Sequence, residues 1–183
     1  MRRRGVMAVL AALALFLAAA PAAGAKAPAA PAAPPAVAAT EPSPAVRAEI
    51  EALMARAAAA YARKDFRVLS GMTDERVAVA VRGLGQDQDY RGREAVRRAF
   101  APQLAALDSP RLDLGRPALA VSGQRAALAA AFTAWSAAEL WPGLAASQRM
   151  LPVPGRLEAQ LERRGESWVF TRLAVLLPGA GRR

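Results

Sequence analysis

The sequence predicts an α+β domain in which N-terminal helices pack on one face of a curved antiparallel sheet. Two observations carry this. Between Pro44 and Leu107 the apolar residues recur mostly at helical spacing, broken once by the alternating run Val77, Val79, Val81. From Leu112 to Val175 they alternate with period 2, between turn words such as Ser122-Gly123-Gln124 and Arg164-Gly165-Glu166.

The first helix starts at Ser43-Pro44, with a capping hydroxyl followed by a proline whose missing N–H costs nothing there. Val46, Ile50, Leu53, Ala57 and Tyr61 form its inner stripe, while Arg47, Glu49, Glu51, Arg56 and Arg63 fall mostly elsewhere. Asp65 caps a short second helix at about 65–72, with Phe66 and Leu69 inward. Val77, Val79 and Val81 then make a strand, and 82–91 reads as a polar loop. Gly92-Arg93-Glu94 opens a third helix with Val96, Phe100, Leu104 and Leu107 on its inner face; Pro102 predicts a kink or an early end. Leu112, Leu114, Leu119 and Val121 read as one strand with Arg116-Pro117 as a bulge. Ala126 to Ala134 continue beyond the hairpin, down to Trp135. Residues 139–152, with Trp141, Pro142, Gly143 and Pro152, read as a long irregular connection. In the last hairpin Leu157, Ala159 and Leu161 share a face, and simple alternation puts Trp168, Phe170, Arg172 and Ala174 together opposite Val169, Thr171, Leu173 and Val175.

Upstream of the domain neither period is present. Arg2-Arg3-Arg4 is followed by 15 uninterrupted apolar residues from Val6 to Ala20, then Pro21 and the small-residue exit Ala23-Gly24-Ala25. This is the three-part pattern of a secretory signal, with cleavage expected before Lys26. An uncleaved anchor is the alternative, but the run is short against the roughly 20 residues that span a bilayer. Residues 26–44 are nearly all Ala and Pro, and proline excludes regular structure, so they read as a semi-extended tether. The expected layout is therefore a signal peptide at 1–25, a linker at 26–44, a domain at 45–177 and a tail at 178–183. The mature protein is expected to be periplasmic or secreted, with no transmembrane segment.

Composition removes whole chemistries. With no cysteine there are no disulfides, thiolate nucleophiles, thiolate zinc sites or lipoprotein anchor. With no histidine there is no Ser-His-Asp triad and no imidazole metal ligand. No cofactor or metal is expected. The net charge is +10, but the arginines are dispersed and many alternate with Glu or Asp, unlike a nucleic-acid-binding face.

Several words, in order, resemble the nuclear transport factor 2-like superfamily, especially its SnoaL-like and ketosteroid-isomerase-like members. They are Ala-Tyr-Ala-Arg-Lys-Asp-Phe at 60–66, Thr73-Asp74, Tyr90-Arg91-Gly92-Arg93-Glu94-Ala95-Val96, Val121-Ser122-Gly123, and Leu161 through Val169. The resemblance implies a cone-shaped, cystatin-like α+β fold over about 45–177, enclosing a pocket and often forming a homodimer through the sheet. It also implies where catalytic groups would stand. The isomerase-like tyrosine position falls on Ala57, and the strand carboxylate falls near Ala80 with Arg82 beyond; the dehydratase-like members need histidine.

The residues therefore favour a non-catalytic binding or accessory domain with an apolar pocket for a small apolar or carboxylate ligand. A non-standard isomerase or hydrolase remains as a second reading, with Tyr61, Asp89 and Arg172 as candidate catalytic residues if they converge. A dimeric interaction scaffold is a third. Tyr61, Phe100, Phe132, Trp135, Trp168 and Arg172 are the candidate pocket residues. The plainer roles stand beside these: Tyr61 as an aromatic stopper, Asp89 as a solvated loop charge, Arg172 as an exposed arginine, and Trp135 as core.

Overall fold

The structure, a computed structural model, describes residues 41–83, 87–137 and 150–178. The export segment, most of the Ala/Pro linker, Trp141 and the tail beyond Pro178 lie outside the described residues.

Helix α1 (Pro44–Ala62) starts where the cap places it, and the Ser43 hydroxyl accepts the Val46 N–H at 3.4 Å. Its buried residues are Ile50, Leu53, Met54 and Ala60. Helix α2 (Phe66–Gly71) is capped by Asp65, whose carboxylate accepts the Val68 N–H at 3.0 Å. Strand β1 (Thr73–Arg82) buries Val77, Val79 and Val81. The expected loop then differs: β2 (Gln88–Arg91) pairs antiparallel with β1, Ala80 opposite Asp89. Its four residues are polar because an edge strand half in solvent needs no apolar face, so no alternation marks it.

Helix α3 (Arg93–Ala106) continues through Pro102 instead of ending there. One backbone hydrogen bond is forfeited, and the burial of Leu104 and Leu107 beyond the proline holds the last turn down. The single bulged strand expected next is two strands, β3 (Arg111–Leu114) and β4 (Ala118–Ser122), both antiparallel to β5 (Arg125–Ala137). Between them the Gly115 N–H still reaches the Ala131 carbonyl at 2.8 Å, whereas Pro117 has no N–H to offer. The β4–β5 turn is the expected hairpin, with Gly123 at φ 58.

Strand β6 (Met150–Arg164) begins earlier than the sequence suggests, taking in part of the expected irregular connection. Pro152 and Pro154 are tolerated there because β7 (Ser167–Leu176) meets β6 only from Arg156 onward, so the first residues of β6 have one neighbour. The sheet order is β2-β1-β7-β6-β5-β3, with β4 also on β5. All pairs are antiparallel except β1 with β7, which is parallel; the long connection between them, which includes α3, leaves their relative direction free.

The three described helices lie against one sheet face. Ile50, Leu53 and Met54 pack there on Leu128, Ala130, Leu161, Trp168 and Phe170. Burying side chains of this size contributes about 1.5–3 kcal/mol each. The result is the α+β layering expected from the two periods, with one parallel pair in its sheet.

Candidate functional site

Packing between helices and sheet is incomplete at one end, and a hollow remains in two lobes of about 200 and 270 Å³. They meet at Tyr61, Phe100, Leu112, Leu114, Leu157 and Val175, which border both. The smaller lobe extends to Val81, Phe132, Ala134 and Leu177, all apolar. The larger extends under α2 to Phe66, Leu69, Ser70, Met72 and Thr73, and to Arg93 at the start of α3. Among the described residues no Asp or Glu lines either lobe.

Few polar groups face this space. Burial pushes the Tyr61 phenol up to about 12, because a tyrosinate there would lose its hydration. At neutral pH Tyr61 is therefore a neutral hydroxyl, able to donate one hydrogen bond and poorly suited to give up its proton. The Thr73 hydroxyl is committed to the Ser70 carbonyl at 2.8 Å. Arg93 donates one guanidinium N–H to the Thr73 carbonyl, while its Nε is buried without an acceptor among the described residues.

Phe132 enters the smaller lobe because residue 155, opposite it on β6, is glycine. A Cβ at Gly155 would stand 2.3 Å from the Phe132 ring and 2.9 Å from the Leu176 carbonyl oxygen. Tyr90 closes on Phe100 from outside, ring centroids 5.0 Å apart in an edge-on arrangement.

The sequence profile of the SnoaL-like domain matches residues 50–173, most of the folded part and more than half of the chain. The chain belongs to the SnoaL-like domain family. Solved structures agree on the fold, that of the nuclear transport factor 2-like superfamily. A nuclear transport factor 2-like protein with a cystatin-like fold from Novosphingobium aromaticivorans superposes with a TM-score of 0.60 at 21% identity, over 74% of this chain and 84% of its own. A protein of unknown function of the same type from Pseudomonas putida gives 0.61 at 16% identity, over 76% and 92%. A protein provisionally described as a dehydratase, from Streptomyces avermitilis, gives 0.59 at 16% identity, over 73% and 97%. At these identities the likeness concerns fold alone. No curated protein matches the chain.

Within this SnoaL-like domain the sequence-derived site residues separate into groups. Tyr61, Phe100 and Phe132 line the hollow. Trp168 is buried in the main core, with its indole N–H donating to Glu49 at 2.9 Å and Arg163 lying 5.8 Å over its ring. Trp135 does not line the hollow either; its indole N–H donates to Asp113 at 2.8 Å, with Arg111 stacked 5.9 Å from the ring. The Arg111 guanidinium first, and this indole N–H with it, hold the Asp113 carboxyl below its ordinary range. Asp89 is exposed on β2 and paired with Arg82 at 2.6 Å.

Arg172 is the clearest correction. Simple alternation places it beside Trp168 and Phe170, but Leu161 faces Phe170 while the adjacent Gln160 faces Arg172. Thr171 is the extra residue of a β-bulge, its hydroxyl donating to the Gln160 carbonyl at 3.2 Å. The bulge shifts the phase of the strand: Leu173 and Val175 turn into the hollow, and Arg172 and Ala174 turn to the opposite sheet face. Tyr61, Asp89 and Arg172 accordingly stand in three separate places and do not converge.

On that opposite face Ala118, Ala120, Ala127 and Ala129 line a shallow recess of about 550 Å³, flanked by Glu158, Gln160 and Arg172. Among the described residues no group of three or more Asp or Glu forms a metal-binding cluster.

The sequence reading missed Leu112, Leu114, Leu157 and Val175 as pocket walls, and Arg93 altogether. A signal for Arg93 existed: it precedes Val96 by three residues and Phe100 by seven, continuing the inner stripe of α3.

Proposed function

We propose that this chain is an exported, non-catalytic binding domain whose hollow takes a small, mainly apolar molecule. The observation that carries the reading is the lining: two adjoining lobes walled mainly by aliphatic and aromatic side chains, with no carboxylate among the described residues. General acid–base work needs a group that titrates near neutral pH within reach of the substrate. Tyr61, held protonated to about 12, is a hydrogen-bond donor instead. Ala57, at the position where isomerase-like relatives carry a tyrosine, contributes only a methyl group to the wall. Export rests on the charged, apolar and small-residue pattern of residues 1–25.

A thermal-shift screen against steroids, polyketides, fatty acids and small carboxylates tests it. Binding to the folded state alone raises the melting temperature in proportion to occupancy. Stabilisation by at least one apolar class is expected, and none across the panel would reject the pocket reading.

A homodimer through the sheet is proposed alongside, because a specific surface favours it. The alanines of β4 and β5 leave room for a second sheet to approach closely, while Arg172, and Glu158 paired with Arg156 at 3.0 Å, give the recess a polar rim. Light scattering distinguishes monomer from dimer directly.

A further inference from the structure

We infer that the hollow is built for a monocarboxylate, an amphipathic molecule whose apolar body spans both lobes and whose carboxylate is held by Arg93. This rests on the binding reading above and adds the chemical class of the ligand.

Arg93 is fixed by the backbone. The Gly92 N–H donates to the Val77 carbonyl at 2.7 Å, tying the start of α3 to β1 and aiming the next side chain into the larger lobe. A guanidinium carries five N–H donors and stays charged at any physiological pH. Here one donor meets the Thr73 carbonyl, Nε has no acceptor although it is buried, and no described carboxylate forms an ion pair with the group. By contrast Arg82, Arg97, Arg111 and Arg163 each hold a carboxylate at the surface. A cation against an apolar wall without a counter-ion is costly, and an anion brought from outside removes the deficit.

The class follows from what else is there. A single cation matches a single negative charge, and the planar fork of guanidinium matches a carboxylate. Among the described residues no second cation lines either lobe to balance a phosphate dianion. Each lobe alone falls below the roughly 300 Å³ at which small-molecule sites begin, so an occupant of ordinary size uses both. Among the described residues its far end meets apolar groups such as Phe132 and Ala134, and Tyr61, which borders both lobes, offers a hydroxyl to an acceptor midway.

The test is calorimetric titration of the chain with octanoate and with 1-octanol, in the wild type, Arg93→Met and Arg93→Lys. Octanoate is expected to bind at least tenfold more tightly than octanol to the wild type. Arg93→Met should abolish that preference while leaving octanol within about twofold, and Arg93→Lys should restore part of it. Equal binding of both probes to the wild type would overturn the carboxylate assignment and leave the pocket standing. Binding of neither would reject the pocket itself. If Arg93 served only to tether Thr73, its replacement would weaken both probes equally, which also overturns the inference. Should Arg93→Met fail to fold, the wild-type preference and the Arg93→Lys variant still decide.

Discussion

Burial raises the Tyr61 phenol from 10.0 to about 12, and a shift of that size is a statement about stability as well as protonation. Folding favours the neutral phenol, so the contribution is complete below pH 10 and is lost as pH rises through about 12. Replacing Tyr61 with Phe should flatten this part of the profile. In denaturant melts across that window the wild type is expected to lose on the order of 2–3 kcal/mol more than the variant. Parallel curves would mean that the phenol is solvated in the folded state. At this scale the sequence was partly legible. Tyr61, Phe100 and Phe132 follow from inner-face periodicity, whereas Trp135 and Trp168 are large apolar residues whose N–H groups are satisfied by Asp113 and Glu49 away from the hollow. Size and aromaticity alone do not tell a pocket wall from a core anchor.

Elements were read more securely than the irregularities inside them. The capped starts of α1 and α2 are local chemistry and lie where Ser43 and Asp65 put them. Edge strand β2 carries no apolar alternation, and Pro152 and Pro154 make the early residues of β6 read as irregular, so neither is marked in the sequence. The bulge at Thr171 mattered most, since one extra residue exchanges the faces of everything after it. A trace of it is present in the sequence: Trp168 and Phe170 keep one phase, and Leu173, Val175 and Leu177 keep the other. Gly155 is a second device of this scale, leaving space on β6 for the Phe132 ring. Gly155→Ala should destabilise the domain by about 1–3 kcal/mol, because both the ring and the Leu176 carbonyl must move. Chemical denaturation measures this; a neutral result would show that the ring has room to turn away.

For the whole molecule, the helices occupy one sheet face and the alanine-lined recess lies on the other. If two copies meet through that recess, Ala129→Arg should convert a dimer to a monomer in light scattering while ligand binding persists, since Ala129 lines the outer recess and neither lobe. Loss of binding together with the dimer would mean that the hollow depends on the partner. The α+β layering was legible because two hydrophobic periods in one chain allow few layered solutions, while the cone shape followed from the family resemblance. Methyl NMR of the chain titrated with a stabilising ligand from the thermal screen tests the central claim most directly. The account predicts shifts concentrated at the methyls of Leu112, Leu114, Leu157 and Val175, with Ala127 and Ala129 unchanged. Shifts confined to those two alanines would place the ligand on the outer sheet and contradict it.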